Sequence, residues 1–294
     1  MNQDYQTLLI NFTNWLETLN YSESTVYNQP NQLTEFLQWL EEQKITTTKE
    51  IQTKHGEAFI QHFKTRPNKR KPGGLSEAHI NKQIDVLTKL SKYLKHTENQ
   101  TIPFKLQRLK HEPKAPNILT TEEIKELYKQ THTADNYLLG IRDRAMLSIY
   151  YGCGLRKKEG LQLETTDIDF TRNLIYVRHP KNKHERYVPM SKQVQEDLEN
   201  YLYQARPNLL KENTDKLLLT ITGNPIEGQS ITNRLQLLQN KTTLKDKKIT
   251  LHLLRHSIAT HLLQAGMKLE NIALFLGHKS LDSTQRYTHL AHAT

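Results

Sequence analysis

The sequence predicts a mainly α protein: a small N-terminal four-helix domain, then a mostly α domain with a small antiparallel β-sheet. Three observations carry this. Apolar residues recur at helical spacing from Leu8 to Leu94; a proline-containing stretch of low periodicity follows at 101–118; and beyond it only 173–190 reads as strand, turn, strand among further helical segments. A chain of 294 residues can build two cores of ordinary size.

In chain order, Leu8, Leu9, Phe12, Trp15, Leu16 and Leu19 define a first helix. Val26, Leu33, Phe36, Leu37 and Leu40 define a second, with Pro30 predicting a kink or a late start. Thr47 and Glu50 form a capping box ahead of a third. Ser76 can cap a fourth, whose stripe is Ile80, Ile84, Leu87, Leu90 and Leu94. Between the third and fourth, "RPNKRKPGGLS" (66–76) is a loop made basic by Arg66, Lys69, Arg70 and Lys71. It suits a phosphate backbone, and it is also what an ordinary solvated loop looks like. The domains are placed at 1–100 and 119–294, with 101–118 as the linker, whose four Lys and Arg side chains suit a strap along a nucleic acid. Thr120 and Glu123 form a second capping box. Residues 139–152 read as a buried helix, Ser191 starts another, and further helices are expected near 228–239, 251–265, 268–275 and 281–289.

Charge and composition narrow the function. Net charge is +10, distributed as −5 over residues 1–50, +9 over 51–118 and +6 over the remainder. An acidic start followed by a basic middle fits either a polyanion-binding face or a solvated basic surface. No apolar run approaches the ~20 residues needed to span a bilayer. No signal peptide is apparent, and the single cysteine, Cys153, can form neither an internal disulfide nor a Cys-based zinc site. A cytoplasmic protein with no membrane partner is expected.

The chemistry concentrates in "LHLLRHSIATHLL" (251–263). Leu251, Leu254, Ile258 and Leu262 share one face of a helix, and His252, Arg255 and His256 project from its flank. The His pair has metal-ligand spacing, but the fixed charge of Arg255 between them opposes a cation, and no acid lies in the helix. An anion site or an ordinary solvated face remains. "YYGCGLRKKEGLQL" (150–163) places Arg156 after a Gly-x-Gly turn with Glu159 three residues on, and "LFLGHKSLDSTQRYTHL" (274–290) places His278 and Tyr287 after a Leu-Gly turn. Two guanidiniums can clamp the oxygens of a phosphodiester under attack, a tyrosine can serve as nucleophile, and Lys or His can protonate the leaving oxygen.

The order Arg156, Lys181, His252-x-x-Arg255, His278, Tyr287 resembles the tyrosine recombinases, the phage-integrase family. "GLRKKE", "ERYVP", "HLLRHSIATHLLQAG" and "LGHKSLDSTQRYTH" look most like its Xer branch and related mobile-element integrases. The resemblance covers the whole chain and implies an N-terminal SAM-like core-binding domain and a catalytic domain. It implies a site-specific recombinase that needs no metal or other cofactor. Tyr287 would attack the scissile phosphate to form a 3′-phosphotyrosyl link and release a 5′-hydroxyl. Arg156 and Arg255 would neutralise the phosphate, Lys181 would protonate the leaving oxygen, with Lys183 its rival, and His252 would help take the tyrosine proton. His278 would bind a non-bridging oxygen and support Tyr287, while Glu159 would orient the clamp and His252 from behind. Arg66, Lys69, Arg70, Lys71, Lys183 and Arg186 are the expected DNA contacts. The implied partners are double-stranded DNA and further protomers, as a homotetramer on two sites assembled from monomers, or a partner recombinase. Seven residues follow Tyr287, where Xer-type relatives carry a further helix that docks on a neighbour. The readings left beside this one are type IB topoisomerase-like relaxation, a non-catalytic DNA-binding accessory protein and a metal nuclease.

Overall fold

The structure, a computed structural model, describes residues 1–68, 72–98, 100–110, 118–133, 136–178 and 185–277. It divides into two compact units, Met1–Pro113 and Lys114–Thr294.

The first unit packs α1 (Gln3–Thr18), α2 (Glu23–Glu42), α3 (Thr53–Thr65) and α4 (Glu77–Thr97) around one apolar core. Asn2, Ser22 and Ser76 cap α1, α2 and α4 with their side chains. Helix α2 runs from Glu23 straight through Pro30, so the expected late start does not occur. A proline inside a helix costs about 3 kcal/mol. Leu33, Phe36, Leu37 and Leu40, all fully buried on the same helix, each return ~1.5–3 kcal/mol and outweigh it. The Thr47–Glu50 capping box closes only a 3₁₀ turn, Thr48–Glu50, and α3 starts at Thr53. Residues 102–109, part of the expected strap, lie on this unit's core. Ile102 is buried, and Phe104, Leu106 and Leu109 pack against the core. The segment is pinned by reciprocal bonds between Asn81 and the Leu109 backbone, at 2.8 and 2.9 Å.

The second unit holds α5 (Thr121–Gln130), α6 (Tyr137–Leu147), α7 (Lys157–Gln162), α8 (Lys192–Asn200), α9 (Arg206–Leu209), α10 (Gly228–Asn240), α11 (Leu251–Gln264) and α12 (Leu269–Leu276). The helix expected over 139–152 ends at Leu147 and widens into a π turn, Ser148–Gly152. Such a turn re-aims the chain that follows it, here the Gly-x-Gly segment that delivers Arg156. The expected hairpin is a three-stranded antiparallel sheet, β1 (Ile168–Asp169), β2 (Leu174–Val177) and β3 (Arg186–Pro189), in that order. Ile175 pairs with Val188 and Val177 with Arg186. Ile175, Val177 and Val188 point into the core, while Tyr176 and Tyr187 lie against each other on the outer face. The helix expected at 281–289 lies outside the described residues.

Candidate active site

Helix α11 is fixed before its polar residues are placed. Thr250 caps it by accepting from the Leu253 N–H, Leu251 and Leu254 are buried in the main core, and Ser257 accepts from the Leu119 N–H at 2.9 Å. Arg255 is only 2% exposed, and its Nη1 and Nη2 donate to the carbonyls of Gly154 and Leu276, both at 2.6 Å. Gly154 has φ of +59°, a conformation glycine adopts without steric cost, and a side chain there would meet Leu276 at 2.9 Å. The Gly-x-Gly turn thus brings its carbonyl to Arg255 and puts Arg156 at the start of α7.

Glu159 is the centre of the cluster. Its carboxylate accepts from the Arg156 backbone N–H at 2.8 Å and from Arg156 Nη1 at 2.7 Å. On the other side Arg186 grips it bidentately, Nη1 at 3.1 Å and Nη2 at 3.0 Å. Arg255 Nη1 stands 3.8 Å away, close enough for attraction. Burial alone would push this carboxyl's pKa up. The hydrogen bonds and charge of Arg186, then the backbone and side chain of Arg156, more than reverse that and hold it at about 2. Glu159 is therefore ionised across the physiological range.

The C-terminus of α12 closes the arrangement. Phe275 O accepts from Arg186 Nε at 3.1 Å, Leu276 O from Arg255 at 2.6 Å and Gly277 O from Arg156 Nη2 at 2.9 Å. Three successive carbonyls at a helix end are thus each taken by a different guanidinium. The orphan acceptors and negative dipole end of a helix favour cations there. Among the described residues, three guanidiniums around one carboxylate leave a net charge of +2. Arg156 is the member that reaches solvent, with 38% of its side chain exposed. An anion with a developing second negative charge is the matching ligand.

His252 lies beside this charge. Partial desolvation, followed by the charges of Arg255 and Arg156, lowers its pKa below the ordinary imidazole value, so at neutral pH it is a proton acceptor. Its ring meets that of His256 edge-on, with centroids 4.3 Å apart. The two line a cleft of about 380 Å³ with Lys247, Lys248 and Thr250. Lys248, exposed at this cleft, was not singled out by sequence. Among the described residues no group of three or more His, Cys, Asp or Glu side chains could hold a metal. His261 bonds the Tyr151 hydroxyl at 2.9 Å, and Cys153 is fully buried, its thiol pushed up to about 12 by desolvation.

The structure therefore brings together Arg156, Glu159, His252 and Arg255. It also adds Arg186, which the sequence grouped with DNA contacts. That side chain is 10% exposed and spends its donors on Glu159 and Phe275. Arg66, the other described DNA candidate, pairs with Glu35 and covers the Phe63 ring at 4.6 Å. Lys69, Arg70, Lys71, Lys181, Lys183, His278 and Tyr287 lie outside the described residues.

Residues 117–294 match the phage integrase family. The tyrosine recombinase XerC of Bacillus subtilis (strain 168) is 32% identical over 277 residues, covering 92% of this chain and 88% of the relative. Two solved structures share the fold. XerH site-specific recombinase bound to difH substrate has a TM-score of 0.76 at 19% identity, over 98% of this chain and 95% of that one. The Tn1549 transposon integrase in complex with transposon right end DNA has a TM-score of 0.72 at 19% identity, over 98% and 95%. The chain belongs to the phage integrase family, the tyrosine recombinases, and is a site-specific recombinase that breaks and rejoins DNA.

Proposed function

We propose that Tyr287 is the nucleophile of this recombinase and that Arg156, Arg255, His252, Lys181 and His278 carry the phosphoryl transfer. The observation that supports this most is the guanidinium cluster at the end of α12, which carries a net charge of +2 among the described residues and reaches Gly277, ten residues before Tyr287. In this reading Arg156 and Arg255 bind the non-bridging oxygens of the scissile phosphate. Their interaction strengthens as the pentacoordinate transition state gains charge. Neutral His252 takes part in removing the Tyr287 proton, Lys181 protonates the departing 5′-oxygen, and His278 supports a non-bridging oxygen. The bond energy is kept in a 3′-phosphotyrosyl ester, which a 5′-hydroxyl of the partner strand then attacks, so no high-energy cofactor is consumed.

Residues 1–100 act as the DNA core-binding domain, 101–118 as the connection and 119–294 as the catalytic domain. Two duplex sites are bridged by four protomers or by a mixed set with a partner recombinase. Two biological roles fit this reading, chromosome dimer resolution and integration or excision of a mobile element. Sequencing the genomic DNA recovered with the protein separates them: replication-terminus sites point to the first, element ends to the second. The chemistry is tested with a nicked suicide duplex carrying a recovered site, in EDTA. A covalent protein–DNA band is expected from the wild type and none from Tyr287→Phe. A wild type that binds the duplex but yields no covalent band would refute the assignment.

A further inference from the structure

Arg186 is the one guanidinium of the cluster with no role in the reading above, yet it touches more of the framework than a DNA contact would. It is nine-tenths buried at the start of β3, opposite Val177. Its two Nη groups hold both oxygens of Glu159, and its Nε holds the carbonyl of Phe275 in the last turn of α12. Gly277, two residues on, packs so closely that a side chain there would meet the Arg186 guanidinium at 2.8–2.9 Å. Three elements converge on this one side chain: the start of α7, which presents Arg156; the end of α12, which accepts from Arg156 and Arg255; and the sheet whose hairpin carries Lys181 in sequence.

We infer that Arg186 is a positioning residue for phosphoryl transfer. Through Glu159 and the Phe275 carbonyl it locks the two phosphate-binding arginines in register and takes no part in DNA affinity. The inference rests on the reading of Arg156 and Arg255 as the phosphate clamp. A bidentate carboxylate bond plus a carbonyl bond needs a planar fork, which lysine lacks. With Arg186 replaced, Glu159 also loses the partner that most opposes its protonation. The clamp then acquires a pH dependence it does not otherwise have.

The test uses the full chain and nicked suicide duplexes carrying a sequence the protein selects from a randomised library. Single-turnover rates at saturating DNA are compared for wild type, Tyr287→Phe, Arg186→Lys, Arg186→Gln and the pair Glu159→Gln/Arg186→Gln. Expected for Arg186→Gln is a rate loss of about 10–100-fold, the size typical when a supporting partner is removed. Duplex affinity and its salt dependence should be unchanged. The rate should also gain an acid-side limb beyond the one His252 gives the wild type, and the added Glu159→Gln should remove that extra limb. Arg186→Lys should recover only part of the rate. If Arg186→Gln does not fold, Arg186→Lys decides: a wild-type rate overturns the inference. A loss of affinity with the salt slope reduced by about one, at an unchanged saturated rate, would make Arg186 a phosphate contact instead. Absence of adduct from the wild type would strike the clamp reading itself, whereas adduct from wild type and Arg186 variants at equal rates strikes only this inference.

Discussion

Asp143 and Glu159 lie in the same unit, and each buried carboxylate is gripped by two arginines, yet their surroundings differ in two ways. Asp143 is fully buried between Arg142 and Arg234, and Arg142 spends a further donor on the Leu219 carbonyl. Its cluster braces α6, α10 and the chain at Leu219, with Arg234 the partly exposed member at 25%. Glu159 has a third guanidinium within reach, and one of its arginines, Arg156, opens to solvent beside a neutral His252. Buried ion pairs by themselves add little to stability over well-packed apolar groups. What separates the two among the described residues is therefore a larger surplus of positive charge, +2 against +1, and a more exposed arginine, Arg156 at 38% against Arg234 at 25%.

This contrast can be broken experimentally, starting with the largest effect. Asp143→Ala leaves the buried Arg142 without its carboxylate, holding only the Leu219 carbonyl, and should destabilise the second unit by about 3–5 kcal/mol, read as a lowered denaturation midpoint. The cleavage rate per folded molecule should hold. Arg156→Ala should do the reverse: cleavage falls by about 10²–10³-fold, as for loss of one donor to a developing oxyanion, with little change in the midpoint. If the two outcomes exchanged, the distinction between brace and site would fail.

Acid sharpens the comparison further. The Glu159 pKa is depressed from 4.5 to about 2, so its stabilisation is present above pH 4.5 and is lost as pH falls towards 2. At 1.36 kcal/mol per unit the contribution is about 3 kcal/mol. The stability gap between wild type and Glu159→Gln, measured by denaturant titration, should accordingly close over that window. A gap that stays constant would show that Glu159 is not held ionised by its neighbours. Gly277→Ala places a non-glycine residue at φ +66° against Arg186. It should cost about 1–2 kcal/mol of stability and lower the single-turnover cleavage rate by about tenfold if the strain falls on the clamp.

Several parts of this molecule were legible because they depend on local pattern. Ser76, Thr120 and Ser191 cap the helices their positions predict, since a hydroxyl oxygen at that point meets an orphan N–H whatever the rest of the fold does. Arg156 and Arg255 were legible from the segments around them, a Gly-x-Gly turn and an apolar helix stripe. The segment 102–109 packs on the first unit's core with no helical period to announce it, and its Lys105 and Arg108 stay exposed. Its alternation of Ile102, Phe104 and Leu106 has a period of two, the signature of an extended chain with one face buried, and the structure buries that face.

By itself the sequence determined the family, the mainly helical fold class with its small sheet, and the capped helix starts. Each of these follows from residue type and spacing along the chain. Only the tertiary structure decided that Arg186 turns inward to Glu159 while its neighbour Tyr187 stays on the outer face, and that α12 offers three successive carbonyls to three arginines from distant segments. A guanidinium looks the same in sequence whether it meets water, a phosphate or a buried carboxylate. Strand register and helix packing select among them, and both are set by contacts between residues far apart in the chain.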